Sequence, residues 1–375
     1  MSVKRIMYMI IFIVMYICMI LCNSNNIYTE DRKRLVKIVI VNSYHTLHPC
    51  TAPQVNGFLD LISSYDDKYR IQIHSYSMRT KIINTTETQM RTVASKIIEE
   101  INGIKPDIVF TTDDNACLYV GIPLSRKFFV VSSGLNRSPQ DYINDKLLNI
   151  SRNHNSIVFI SEYMRLDQLW NWLDQNRFNI YNVYIITEPK TKMSTTAYYM
   201  MKNYYEELRG HVKHIVRIEV NTVFDLRNIL IQLNRVERSL MIFTIQRIID
   251  ETGKLRNKMW VIKELLQYNK RQLELFGNEQ FCRYGMAICN VPNFYQMGKD
   301  AANVAINYIK YKYRINDNIT KPNNIDNCTV ISSVNKLSIN EERLKQLHYN
   351  NLLQNLTIIN NSYPRIRKYN YDEDE

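Results

Sequence analysis

An unbroken apolar strand that stops abruptly in short polar side chains fits one place best, the interior of an open α/β sheet, and this chain has three. The sharpest is Pro106-Asp107-Ile108-Val109-Phe110-Thr111-Thr112-Asp113-Asp114-Asn115-Ala116. Ile108 to Thr111 are apolar or β-branched without polar alternation, as expected of a parallel strand covered on both faces. The run then breaks into Thr-Asp-Asp-Asn. Val36 to Val41 ends in the same manner in Asn42-Ser43-Tyr44-His45, and Phe128 to Val131 in Ser132-Ser133-Gly134-Leu135-Asn136. Ligands of open α/β sheets sit outside the carboxyl ends of the strands. The three tips therefore predict one ligand-facing rim.

The intervening segments supply helices. Val55, Phe58, Leu59 and Ile62 share a helical face. Tyr69 to Tyr76 alternates as a second strand. Thr86 and Gln89 form a capping box ahead of the stripe Met90, Val93, Ala94, Ile97, Ile98 and Ile101, with Gly103 as the expected stop. Strand, helix, strand, helix, strand is the doubly wound pattern, with right-handed crossovers. A second series of the same kind starts near Ser156, with strands at Ile157 to Ile160, Val183 to Ile186, Ile215 to Val220 and Leu240 to Ile245. The second of these ends in Thr187-Glu188-Pro189 and the last in Gln246. Gly298-Lys299-Asp300-Ala301-Ala302 offers small residues that let a helix lie close to a sheet, and Thr329 to Val334 reads as a last short strand. The fold class is thus α/β, with two doubly wound Rossmann-like lobes, and 375 residues suit two lobes of ordinary size.

Composition excludes more than it selects. The net charge of +12 is spread along the chain, with no zinc-finger spacing, aromatic RNA-binding signature or basic heptad helix, which argues against nucleic acid as a partner. Lys4 and Arg5 precede an apolar run from Ile6 to Cys22 and a polar Asn23-Ser24-Asn25-Asn26, the pattern of a secretory signal or retained anchor over residues 1–24. An extracytoplasmic location, secreted or membrane-tethered, follows. Of seven Cys, Cys18 and Cys22 fall in that run. Cys50, Cys117, Cys282, Cys289 and Cys328 form no CxxC pair. Scattered thiols are expected, with a Cys282 to Cys289 bridge as the alternative.

The ordered set of motifs resembles the extracytoplasmic substrate-binding proteins of ABC transporters with the type I periplasmic-binding fold, in the branch that includes amino-acid-binding receptors. The residues that carry the resemblance are Asn42-Ser43-Tyr44-His45, Gln54-Val55-Asn56-Gly57-Phe58, Met78-Arg79-Thr80-Lys81 and Thr112-Asp113-Asp114-Asn115-Ala116. Further along are Gly134-Leu135-Asn136 with Asp141-Tyr142, Ile249-Asp250-Glu251-Thr252-Gly253 and Gly298 to Ala302. The set spans residues 36 to 335. Cys50 stands where the branch has an aromatic, Arg79 where it has an acid and Glu188 where it has Asp, and Gly285-Met286 lacks the usual glycine-rich character. These departures leave two alternatives, a different ligand or degraded binding.

The resemblance implies two lobes joined by a hinge, closing on a small polar organic solute. It divides the chain into 35–150 (lobe 1), 151–290 (lobe 2), 291–325 (return to lobe 1), 326–340 (a final strand, at the hinge or in lobe 2) and 341–375 (a polar tail). Candidate ligand-binding residues are Ser43, Tyr44, Asp113, Asp114, Ser133 and Asn136 from lobe 1, and Glu162, Glu188 and Gln246 from lobe 2. Carboxylates would take a ligand ammonium and hydroxyls a carboxylate. The plainer role for Asp113 and Asp114 is helix capping; for Ser133 and Asn136 it is shaping a turn. The expected partner is the membrane permease of an ABC importer, with a separate membrane sensor as the alternative. The chain is expected to be a monomer without cofactor. A secreted hydrolase is the rival class, but no Gly-x-Ser-x-Gly elbow and no phosphate-cradling glycine loop is present. Metal at His45 and His48, or at His211 and His214, lacks a third ligand in sequence.

Overall fold

The computed structural model describes residues 14–17, 19, 33–65, 69–137, 141–142, 156–162, 165–189, 195–245, 247–277, 284–313, 330–332 and 335–353. By compactness the chain divides into unit 1, Met1–Ser133, Leu148–Phe159 and Gly298–Thr329, and unit 2, Gly134–Leu147, Ile160–Met297 and Val330–Glu375. Sheet pairing shifts these boundaries by a few residues at 134–135, 160–161 and 330–332.

Unit 1 is built on β1 (Arg34–Asn42), β2 (Tyr69–Ser77), β3 (Ile108–Thr112), β4 (Phe129–Leu135) and β5 (Ile157–Ser161). Helices α1 (Thr51–Ser63) and α2 (Glu87–Ile104) connect the first three strands. After β3 the chain runs through α3 (Asp113–Ala116), a π-helical turn (Cys117–Gly121) and α4 (Ile122–Leu124). The strand order is β13-β5-β4-β3-β1-β2, where β13 is Val330–Ser332. β1 pairs in parallel with both β2 and β3, and β3 with β4. All of β3 and all of β4 are buried, including the polar ends Thr111-Thr112 and Ser132-Ser133. Thr112, Ser132 and Ser133 are therefore strand, not loop as their polarity suggested. The face of α1 also differs from the apolar spacing: Thr51, Gln54, Gly57, Phe58 and Ile62 are buried while Val55 and Leu59 are half-buried. The helix turns its polar Thr51 and Gln54 inward, and Phe58 stacks on Phe110 of β3 at 4.3 Å.

The Thr86 capping box of α2 is present, with Gln89 N donating to Thr86 Oγ1 and Thr86 N to Gln89 Oε1. Gly103 does not end that helix. Lys105 does, in the left-handed region at φ 52, with its N–H donating to Ile101 O.

Unit 2 repeats the plan with β6 (Asn182–Thr187), β7 (His214–Glu219), β8 (Ser239–Phe243), β11 (Leu273–Phe276), β12 (Ile288–Pro292) and β14 (Asn335–Ile339) in the order β14-β12-β11-β8-β6-β7. Only the β12–β14 pair is antiparallel among those described. β9 (Arg247–Ile249) and β10 (Leu255–Asn257) form a separate hairpin. Helices α5 (Asp167–Gln175), α6 (Thr195–Leu208), α7 (Val223–Leu233) and α8 (Lys258–Tyr268) flank the sheet. One apolar cluster gathers Leu169, Trp172, Leu173, Tyr204, Leu240 and Leu275, and another gathers Leu226, Leu230, Met241, Phe243, Ile262 and Leu265. Neither β11 nor β12 was anticipated from the sequence.

Helix α9 (Phe294–Lys312) crosses into unit 1 at Gly298. A Cβ there would run into Gln54 O and stand 2.9 Å from Phe58 N, so the close approach is to helix α1 and not to a sheet. Further along, Tyr308 stacks on Phe129 at 4.0 Å. Part of the segment expected to be a polar tail is folded: α10 (Glu341–Gln346) buries Leu344 and Arg343, and Arg343 Nε donates to buried Glu274 at 2.5 Å. Cys289 is disulfide-bonded, whereas Cys50 and Cys117 are thiols. Among the described residues no helix is long and apolar enough to cross a membrane, and most of the 6–22 run lies outside them.

Candidate functional site

The order β2-β1-β3-β4-β5 reverses direction between β1 and β3, and in unit 2 β7-β6-β8-β11-β12 reverses between β6 and β8. Such a switch point opens a crevice at the strands' carboxyl ends, because the loops leaving the two strands run to opposite sides of the sheet. In unit 1 the loops at that point are Asn42–Cys50 and the turn into α3, and the register sets Asn42 beside Thr112. In unit 2 they start at Thr187-Glu188 and Thr244.

Unit 1 holds Ser43, Tyr44, Asp113, Asp114 and Ser133 of the candidate residues. Ser43 is fully buried. Its hydroxyl donates to Thr112 O and accepts from Ala116 N, both at 2.7 Å, so it ties the end of β1 to the end of β3 and to the last residue of α3. Thr80 closes the same corner, its N–H and hydroxyl donating to Ser43 O at 2.9 and 3.0 Å, while Asn115 Nδ2 donates to Thr80 Oγ1. The buried Ser133 hydroxyl donates to Gln54 Oε1, and Gln54 Nε2 donates to Cys50 O. Tyr44 lies beneath Lys81, whose Nζ is 3.8 Å from the ring centroid, and packs against the His48 ring at 4.4 Å. Asp114 is half-buried beside Asp113.

Asp113 is the unusual member. It is 2% exposed, and its backbone is left-handed at φ 64, a conformation that Asp tolerates better than most residues do. It does not cap α3. The cap residue is Thr112, without a side-chain hydrogen bond, and Asp113 Oδ2 has no hydrogen-bond partner. Burial pushes the Asp113 carboxyl up to about 8, against the opposing charge of Lys81 and with further help from Asp114. Three more buried polar atoms of the same rim lack partners: Asn42 Nδ2, His45 Nδ1 and Thr51 Oγ1.

By compactness unit 2 holds Asn136, which was expected in lobe 1, together with Glu162 and Glu188. Asn136 follows β4 and is half-buried, and Glu162 N donates to Leu135 O at 2.8 Å. Glu188 is buried at the end of β6, and its Oε1 accepts from Arg247 N at 3.0 Å. Gln246 lies outside the described residues. The sequence reading missed Thr51 and Gln54 as rim residues. The available signal was a Gln within the face that the helix buries, since polar residues seldom occupy core positions without a partner. Among the described residues no group of three His, Cys, Asp or Glu is placed to hold a metal ion. His45 and His48 make an edge contact at 5.5 Å, and His211 stacks on Trp170 at 5.1 Å.

Neither a protein-family model nor a curated protein matches the chain. Solved structures do. The ligand-free, open structure of CD0873, a substrate binding protein with adhesive properties from Clostridium difficile, aligns at TM-score 0.59 and 13% identity over 84% of this chain and 95% of that one. A conserved domain protein from Vibrio cholerae aligns at TM-score 0.49 and 13% identity over 84% of this chain and 94% of that one. A Streptococcus pneumoniae ABC domain in complex with L-Trp gives TM-score 0.49 and 12% identity, with the same two coverages. The fold rests on the first of these together with the two parallel sheets: the chain has the α/β architecture of substrate-binding proteins of the type I periplasmic-binding class, two Rossmann-like lobes each with its own switch point.

Proposed function

We propose that the chain is an extracytoplasmic solute-binding protein that captures a small polar organic solute, an amino acid among the candidates, and passes it to the permease of an ABC importer. The observation that carries this reading is the group of four buried, unpartnered polar atoms at the unit 1 switch point, on Asn42, His45, Thr51 and Asp113. A buried polar atom without a partner costs about 1–3 kcal/mol. Four on one rim are accounted for by a solute that supplies the missing partners. Binding is favoured over catalysis because the Ser43 hydroxyl is engaged by backbone on both sides, which leaves it unsuited to attack a substrate. The Cys289 disulfide supports an oxidising compartment, in line with the signal-like amino terminus.

Native mass spectrometry of the purified chain tests the reading by revealing a co-purified metabolite. A thermal-shift panel of amino acids and sugars should then identify a stabiliser, worth about 2.7 kcal/mol at 100-fold excess over Kd. Thr51→Val separates storage of an unpaired group from packing. Removing the orphan hydroxyl should raise the melting temperature of the unliganded protein and shrink the ligand-induced shift by at least a third. A variant that loses stability and keeps the full shift would show that Thr51 Oγ1 serves the fold and not a solute.

A further inference from the structure

The rim of unit 1 contains an acid with the surroundings of a neutral group. Asp113 is 2% exposed, and among the described residues no ion pair reaches it. The cation whose field it feels, Lys81, lies 3.8 Å over the Tyr44 ring and 3.3 Å from His48 Nε2. Asp114 adds a like charge, and the loop after β1 contributes His45 and His48. Arg79 stands in the loop after β2, whereas the Ser132-to-Leu135 end of β4 carries no charge. The carboxyl takes a hydrogen bond at Thr112, but its Oδ2 is unpartnered, and the Asn42 side chain, whose residue pairs with Thr112 across the strands, leaves its own Nδ2 unpartnered. An isolated carboxylate in such a place protonates unless a counter-charge comes with the ligand.

We propose that Asp113 receives the cationic N–H group of an amine-bearing solute and gives up its own proton as that group arrives, so that capture expels one proton to solvent. This rests on the solute-binding reading above and names the chemistry of its ligand. The carboxyl O–H bond breaks, its electron pair stays on Oδ2 and the proton leaves to water. The ammonium keeps its hydrogens and donates to the carboxylate. An uncharged solute would leave the proton in place, since a neutral carboxyl already serves as a donor to a hydroxyl or carbonyl oxygen.

Isothermal titration of the full chain distinguishes the two. L-tryptophan and putrescine serve as amine probes, indole-3-propionate and D-galactose as probes without an amine, each in phosphate and in Tris at pH 6, 7 and 8. The expected result is an amine probe that binds with close to one proton released at pH 6 and 7, its affinity rising about tenfold per pH unit up to about pH 8. Asp113→Asn should abolish both the proton release and the slope. Carbon-13 carboxyl NMR of the unliganded protein should show Asp113 still protonated at pH 6, a readout that does not depend on any ligand or variant. Amine binding without proton release, or a carboxyl already ionised at pH 6, overturns the proposal. Binding confined to galactose or indole-3-propionate also overturns it while leaving the solute-binding reading intact. Silence from every probe counts against both.

Discussion

Asp113 also matters to stability, with a sign opposite to that of an ordinary surface acid. The unfolded chain holds its proton only below about pH 4, whereas the folded chain holds it up to about 8. Between those values the folded state binds more protons, so its stability falls as pH rises. Asp113→Asn keeps a side chain suited to the left-handed backbone and removes the charge. Its stability relative to the parent should grow by at least about 1 kcal/mol between pH 5 and pH 8, roughly 2–4 °C in calorimetry; parallel curves for the two proteins would show that the carboxyl is solvated. Arg79 illustrates a related constraint. It sits at φ 53, its carbonyl accepting from Ile82 N and Ile83 N at 3.1 Å, a turn in which Asp or Asn would be less strained. At this scale the acids at the strand tip were legible from their position after an apolar run. That Ser43 is engaged by Thr112 and Ala116 was not, because its partners depend on how β1 and β3 align, about seventy residues apart in sequence.

Contacts between elements turn on positions that look ordinary in a sequence. Gly298→Ala places a methyl against the carbonyl and amide of α1, which cannot yield as a flexible side chain would. A loss of about 1–3 kcal/mol is expected from forced overpacking, read as a lower urea midpoint. Because Gln54 accepts the Ser133 hydroxyl, the rim should be disturbed as well. An unchanged midpoint would mean that α9 and α1 are farther apart than described. The Thr86 capping box was legible because it is complete within four residues. The buried strands β1, β3, β6 and β8 were legible because apolar runs of that length have few other uses. The run at Ile157 to Ile160 was legible as a strand too, but it was read as opening the second series, whereas β5 lies beside β4 in the first sheet, a pairing that depends on contacts remote in sequence. Strand β11 was not. It carries Glu274 in its middle, and a fully buried acid reads as a loop until its partner Arg343 is known.

For the molecule as a whole, that ion pair decides how the final segment is held. Arg343 also donates from Nη2 to Asn269 O at 3.0 Å, and Asn269 Nδ2 donates to Glu274 Oε2 at 3.0 Å. Arg343→Met strands a charge in the interior of unit 2 and should cost about 3–5 kcal/mol in denaturant unfolding. Adding Glu274→Leu should recover most of that loss, because it is the uncompensated charge and not the missing bridge that destabilises. A double variant no more stable than the single one would point to shape, not charge, as the cause. The connection just before α10 has a consequence for synthesis. β13 edges the first sheet and β14 the second, with two residues between them. A chain emerging from the ribosome therefore reaches residue 330 with both sheets still lacking an outer strand, and translation of a few more codons completes the pair almost together.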